Sequence, residues 1–272
     1  MPIIVLALGA ATLTASPALA DASDSPFGDK ALDFGNVTVP ARPPKNEAAE
    51  AATYEKCMAL ARKDPAAGQK LAQQWHGRGG GHPAEHCLAV SLIGLKQYKE
   101  AGLKLEGLGQ AMVHAPAELR AEVYDQAGQA WLMAGDAPRA YAAGTMALEF
   151  AANDADLLVD RAEAAGSAGW FDKAAADLDR VLKAHPERVD ALIYRASAYR
   201  QLDKLDEALA DIDKAVKLAP DSAAALLERG DIRRLKGDAA GAKQDWLRVS
   251  ALAPNSTAAA AAKGNIARLD TK

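Results

Sequence analysis

Small and apolar positions recur every 34 residues between 155 and 256, three times in succession and without a gap. The copies run 155–188, 189–222 and 223–256, with a small residue at the eighth place (Ala162, Ala196, Gly230) and at the twentieth (Ala174, Ala208, Ala242). A larger apolar residue follows four places on (Leu178, Ile212, Trp246), then Val181, Ala215 and Val249, and a proline closes each copy (Pro186, Pro220, Pro254). Apolar residues at i, i+4 and i+7 form one stripe of a helix, small residues let two helices approach closely, and the proline stops the second helix. Each copy therefore predicts a helix hairpin that cannot bury its apolar face alone and must stack on its neighbours.

The second copy, VDALIYRASAYRQLDKLDEALADIDKAVKLAPDS, resembles the tetratricopeptide repeat family through Ala196, Tyr199, Ala208, Ile212, Ala215 and Pro220. The seventh place departs from the family's usual Leu and holds Arg161, Arg195 and Arg229, with Asp177, Asp211 and Asp245 sixteen residues further on. The two columns predict an Arg to Asp brace between the helices of a hairpin, because a half-buried guanidinium needs an acceptor. Arginines lying along the surface without a fixed partner are the alternative.

The same reading extends to both sides. Residues 47–81 predict a degenerate first hairpin, with Tyr54, Cys57, Met58 and Ala61 on one stripe, Ala67, Leu71 and Trp75 on the next, and Asp64-Pro65 at the turn. A second unit at 82–115 keeps the motif better, and a third at 121–154 matches through Gly128, Trp131, Ala140 and Ala147 but has Ala152 in place of the proline. Beyond Pro254, Ser256 or Thr257 can cap a last helix over 257–272, whose Ile266 and Leu269 are expected to close the stack. The fold class is all-α, an α-solenoid of about six hairpins plus a C-terminal capping helix. Its domains are 47–120 for the degenerate hairpins, 121–256 for four regular units and 257–272 for the cap.

Residues 1–20, MPIIVLALGAATLTASPALA, read as a signal peptide: an apolar run from Ile3 to Leu13, then Ala18-Leu19-Ala20 before the polar Asp21. No Lys or Arg precedes the run. An uncleaved anchor is disfavoured by Gly9, Ser16 and Pro17, so the expectation is a periplasmic protein with no membrane insertion after cleavage. Residues 21–46, with Pro26, Pro40, Pro43 and Pro44, predict an extended or disordered leader, or a docking tail using Phe27 and Phe34.

Composition changes the picture little. Half the residues are apolar and only 5% aromatic, which suits close helix stacking, and the formal net charge of -4 lacks the basic stripe that nucleic-acid binding needs. Candidate chemistry centres on the two cysteines. Cys57 and Cys87 fall on first helices of successive units, and an exported chain meets an oxidising compartment, so a disulfide is expected, with two buried free thiols as the alternative. His76, His82 and His86 gather beside Cys87, which raises a metal-binding or thiol-based redox-sensing module as an alternative function. Against it, Pro83 is expected to leave His82 ahead of the helix, and a disulfide would remove the thiolate ligand. No catalytic or cofactor motif is found: Gly77 to Gly81 lacks a dinucleotide spacing, and Gly166 to Gly169 reads as close packing.

The resemblance implies a concave groove lined by the first helices at the second, fifth, sixth, ninth and twelfth places. Those places include Asp125, Gln126, Gln129, Asp156, Asp160, Glu163, Tyr194, Ser197, Arg200, Glu228, Asp231 and Arg234. Val159, Ile193, Tyr194 and Leu227 are expected to form its apolar floor. The implied function is a non-catalytic scaffold, without cofactor or metal, binding a protein or peptide segment of an envelope or periplasmic partner. The acidity points to a basic ligand, or serves solubility alone.

Overall fold

A computed structural model describes residues 47–270, so the signal and leader expectations for 1–46 lie outside the described residues. The described residues form thirteen helices and no strand, an all-α helical repeat, and divide into two compact bodies, 47–168 and 169–270. None of these helices is long and apolar enough to cross a membrane.

The first body holds α1 (Glu47–Lys63), α2 (Pro65–His76), α3 (Gly81–Gly94), α4 (Tyr98–Ala111), α5 (Ala117–Met133), α6 (Ala137–Phe150) and α7 (Ala155–Ser167). Asp64 caps α2 by accepting the Ala67 amide at 3.1 Å, with Pro65 at the first helical position, where its missing N–H costs nothing. Gly68 and Ala72, rather than Leu71 and Trp75, are the fully buried residues of α2. A Cβ on Gly68 would lie 2.8 Å from the Ala61 Cα, so the absence of a side chain there sets how closely α1 and α2 pack. Cys57, Met58, Ala61, Ala72, Cys87 and Val90 form the core of this end, with Tyr54, Leu71 and Leu88 packed against it.

The glycine run before α3 makes a turn, as its composition suggests: Gly79 and Gly81 take positive φ, at 90° and 52°. The helix nevertheless starts at Gly81, so His82 lies within its first turn and not ahead of it. Pro83 is no obstacle, because a proline in the first turn removes an amide that has no intrahelical acceptor.

The second body holds α8 (Phe171–Ala184), α9 (Val189–Gln201), α10 (Leu205–Leu218), α11 (Ala223–Leu235), α12 (Ala239–Leu252) and α13 (Thr257–Asp270). The expected braces are present in the second and third copies. Arg195 donates to Asp211 from Nε at 2.7 Å and from Nη2 at 2.8 Å, and Arg229 repeats the fork on Asp245 at 2.9 and 2.7 Å. Each arginine also reaches back to the preceding second helix, Arg195 to Asp179 at 2.8 Å and Arg229 to Asp213 at 3.3 Å. One side chain thus ties three helices, which is how a column of charge can stand in for the family's Leu.

Ser256 caps α13, accepting the Ala259 amide at 3.1 Å. The buried contacts of α13 are Ala259 and Ala262, whereas Ile266 and Leu269, expected to close the stack, are only half-buried. Small residues let this helix lie close to α11 and α12, and that closeness leaves the larger residues toward its outer side.

Candidate functional site

In the first body the inward-facing residues come from α3, α5 and α7. Gln126 is buried and is part of a chain of side chains: Tyr54 Oη lies 2.7 Å from His86 Nδ1, and His86 Nε2 lies 2.7 Å from Gln126 Oε1. The amide oxygen can only accept, so Nε2 carries the proton and Nδ1 accepts from the tyrosine. Burial lowers the His86 pKa, which keeps the ring neutral and suits this tautomer. His86 therefore ties α1, α3 and α5 together and has no nitrogen left for a metal.

Next to this chain, Gln129 Nε2 donates to Asp125 Oδ2 at 2.8 Å. Burial, and then the Asp160 carboxylate hydrogen-bonded to it, raise the Asp125 pKa well above the ordinary carboxylate range, with Asp154 and Asp156 adding to the field. Each carboxylate disfavours ionisation of the other, so the Asp125 carboxyl holds its proton more tightly than an isolated one. Asp156 is exposed and Asp160 half-buried, while Glu163 is 9% exposed and faces packing more than solvent.

In the second body the arrangement is different. Arg200 on α9 forks onto Glu228 on α11, Nε to Oε1 at 2.6 Å and Nη2 to Oε2 at 3.3 Å, and Glu228 is 2% exposed. Burial and the Glu228 carboxylate push Asp231 up to about 6, against the pull of Arg200 and Arg234, and Asn265 on α13 donates to Asp231 Oδ1 at 2.7 Å. Tyr194 and Ser197 are half-buried, and Arg234 is exposed.

Two expectations need correction. Val159 and Leu227 are 4% and 1% exposed, so they are core and not an accessible floor, and of the four floor residues only Ile193 and Tyr194 are partly open. Consecutive first helices touch directly, α5 with α7 and α9 with α11, and a large apolar residue at the fifth place fills that contact. The groove residues are also not uniformly acidic. Glu228 is neutralised within the protein by Arg200, so the acidic character rests on α5 and α7, and Arg234 gives the second body an outward cation.

Cys57 and Cys87 are brought together at disulfide geometry, with their Cα atoms 6.1 Å apart and both residues fully buried. His76 and His82 are exposed, the former 3.8 Å from Glu85. Among the described residues no group of three or more His, Cys, Asp or Glu is placed to hold a metal ion. The sequence had no signal for the Tyr54–His86–Gln126 chain, whose members lie 32 and 40 residues apart.

A model of the tetratricopeptide repeat family matches residues 159–222 and 195–260. Among solved structures, the chain is similar to a tetratricopeptide repeat protein from Parabacteroides merdae, at 13% identity over 79% of this chain and 86% of that one, with a TM-score of 0.67. It is also similar to YrrB, a TPR protein with an unusual peptide-binding site, at 17% identity over 71% and 96% of the two chains and a TM-score of 0.52. MamA from Desulfovibrio magneticus RS-1 matches at 19% identity over 74% and 97%, with a TM-score of 0.51. At these identities the likeness is one of fold. No curated protein matches the sequence.

Proposed function

Because this chain is a tetratricopeptide-repeat protein, we propose that it is a non-catalytic interaction scaffold that binds a basic peptide segment of an envelope or periplasmic partner along its first helices. The observation that carries the reading is the Asp125 and Asp160 carboxyl pair on α5 and α7. An arriving Lys or Arg offsets the burial and the Asp160 field that hold Asp125 protonated, so the carboxyl ionises against it in a charge-assisted contact. The peptide-binding site of YrrB supports a peptide as ligand for the fold. The apolar run and small-x-small end of residues 1–20 support export to the periplasm.

The test is a pull-down from periplasmic extract with the wild-type protein beside the Asp125→Asn, Asp160→Asn double variant, which keeps the shape and removes the charge. Retention of one protein by the wild type alone is expected, with release by salt because the contact is ionic. Equal retention by both forms would move the interface away from α5 and α7 and sink the proposal.

A further inference from the structure

Four side chains from three helices meet where α1, α3 and α5 converge. Tyr54 Oη donates to His86 Nδ1 and His86 Nε2 donates to Gln126 Oε1, both at 2.7 Å, and Gln126 Nε2 stands 3.5 Å from Glu122 Oε1 one turn back on α5. The Tyr54 and His86 rings are stacked, with centroids 6.0 Å apart. Glu122 closes the circuit, because its carboxylate also acts on Tyr54 and, after burial, is the main cause that pushes the phenol pKa up. His86 is 4% exposed and Glu122 half-buried, so the cluster runs from the core toward the surface.

The charges on the surrounding elements fix which acid serves this cluster. Arg62 of α1 acts on Tyr54 against Glu122, Glu85 of α3 faces His76 of α2 at 3.8 Å, and Glu106 of α4 accepts the Trp131 indole N–H at 2.8 Å. Glu122 is the acid that the packing places on the Tyr54–His86 pair.

The same four groups support a second arrangement. A protonated His86 carries an N–H on both nitrogens, so Nδ1 no longer accepts and the tyrosine must turn its O–H away and offer a lone pair instead. That O–H then needs an acceptor, since a buried donor left without one is costly, and a buried imidazolium needs an anion. Glu122 supplies both. Its 3.5 Å contact with Gln126 is at the limit of a hydrogen bond, so little is lost when it moves.

We propose that this cluster is a pH-sensitive switch on α5: protonation of His86 turns the Tyr54 hydroxyl onto the Glu122 carboxylate and draws that charge toward the core. Burial opposes a charge on His86 more than the Gln126 bond favours it, so the change falls at lower pH than for an exposed histidine. Glu122 lies one turn before Asp125, so its withdrawal lowers the negative charge offered to a basic segment there. This consequence rests on the peptide-binding reading above, whereas the switch itself does not.

The experiment follows His86 in the full chain by long-range 1H–15N NMR, which reports the tautomer and protonation of an imidazole without any ligand. The Nε2–H tautomer is expected at pH 7.5, with a titration midpoint below 6.5. Glu122→Gln, which removes the anion and keeps the shape, should lower the midpoint by about one pH unit, and Tyr54→Phe, which breaks the relay, should lower it as well. An unchanged midpoint in Glu122→Gln, or no titration of His86 before the protein unfolds, would overturn the switch. Fluorescein-labelled tetralysine, followed by anisotropy, reads the consequence: its affinity should fall severalfold from pH 7.5 to 5.5 in the parent and less in Glu122→Gln. An equal fall in both would overturn the link to the inward face of α5. No tetralysine binding at either pH would sink the peptide-binding reading, while the His86 titration still decides the switch.

Discussion

Arg229 on α11 grips Asp245 on α12 with a two-pronged fork, Nε to Oδ2 at 2.9 Å and Nη2 to Oδ1 at 2.7 Å. Asp245 is 3% exposed and also accepts from Arg233 at 2.8 Å, so it serves two cations in a nearly closed site. Asp245→Ala removes the buried acceptor and leaves Arg229 only the exposed Asp213 and Arg233 only Asp238, and removing one partner of a buried pair costs about 3 kcal/mol. The expected result is a lower urea midpoint. A double-mutant cycle with Arg229→Ala should return a coupling energy of about 1 kcal/mol or more, and additive losses would show that the fork contributes only packing.

Asp231 gives a pH dependence with a definite sign. Its folded value of about 6 lies above the ordinary 3.8, so the folded protein holds this proton more tightly than the unfolded chain. That contribution is fully present below 3.8 and is lost as pH rises through about 6. Asp231→Asn removes the penalty carried at neutral pH while keeping an oxygen for Asn265. The difference between the two values corresponds to a gain of at most about 3 kcal/mol, reduced by the lost attraction to Arg200 and Arg234. Denaturation at pH 7.5 should find the variant more stable than the parent, with the two converging as pH falls toward 4. A constant offset across that range would exclude ionisation of Asp231 as the cause.

Most of this fold was legible because each repeat writes its own packing rule. The eighth, twentieth and twenty-fourth places name the contact between the two helices, and Arg and Asp recurring together sixteen residues apart predicted the fork between Arg195 and Asp211. What a single repeat does not encode is its neighbours. Asp179 and Asp213 belong to the preceding unit, and Arg200 meets Glu228 across 28 residues, so neither partner follows from one copy alone. The same limit explains the floor residues, since a fifth-place Val159 or Leu227 reads as groove-facing until the next first helix is laid against it.

The cysteine pair sets the strength of the first hairpin. With a sequence separation of 30, a bond between Cys57 and Cys87 stabilises by about 3 to 4 kcal/mol on the loop-closure account. A Cys57→Ala, Cys87→Ala variant should lose that amount, and hydrogen exchange should place the loss in α1 and α3, the two helices the bond joins. Thiol labelling of the unreduced, denatured protein should detect no free thiol. Two reactive thiols in protein prepared from an oxidising compartment would mean that the pair serves only as core.

Gly230 and Trp246 form a matched pair whose volumes compensate. A Cβ added to Gly230 would collide with the Trp246 indole, lying 2.7 Å from its Cδ1 and closer still to Nε1, and Trp246 is fully buried. Gly230→Ala therefore overpacks the α11–α12 contact and should destabilise by about 1 to 3 kcal/mol. The second copy solves the same contact with Ala196 and Ile212, both fully buried. Trp246→Ile alone leaves a cavity and costs about 3 kcal/mol, but combined with Gly230→Ala it recreates the pair of the second copy. The double variant is expected to be more stable than the Trp246→Ile single variant, because the added methyl now fills space instead of colliding. Urea denaturation of the parent and the three variants measures this directly, and simple additivity of the two losses would show that the seats of successive repeats are not interchangeable.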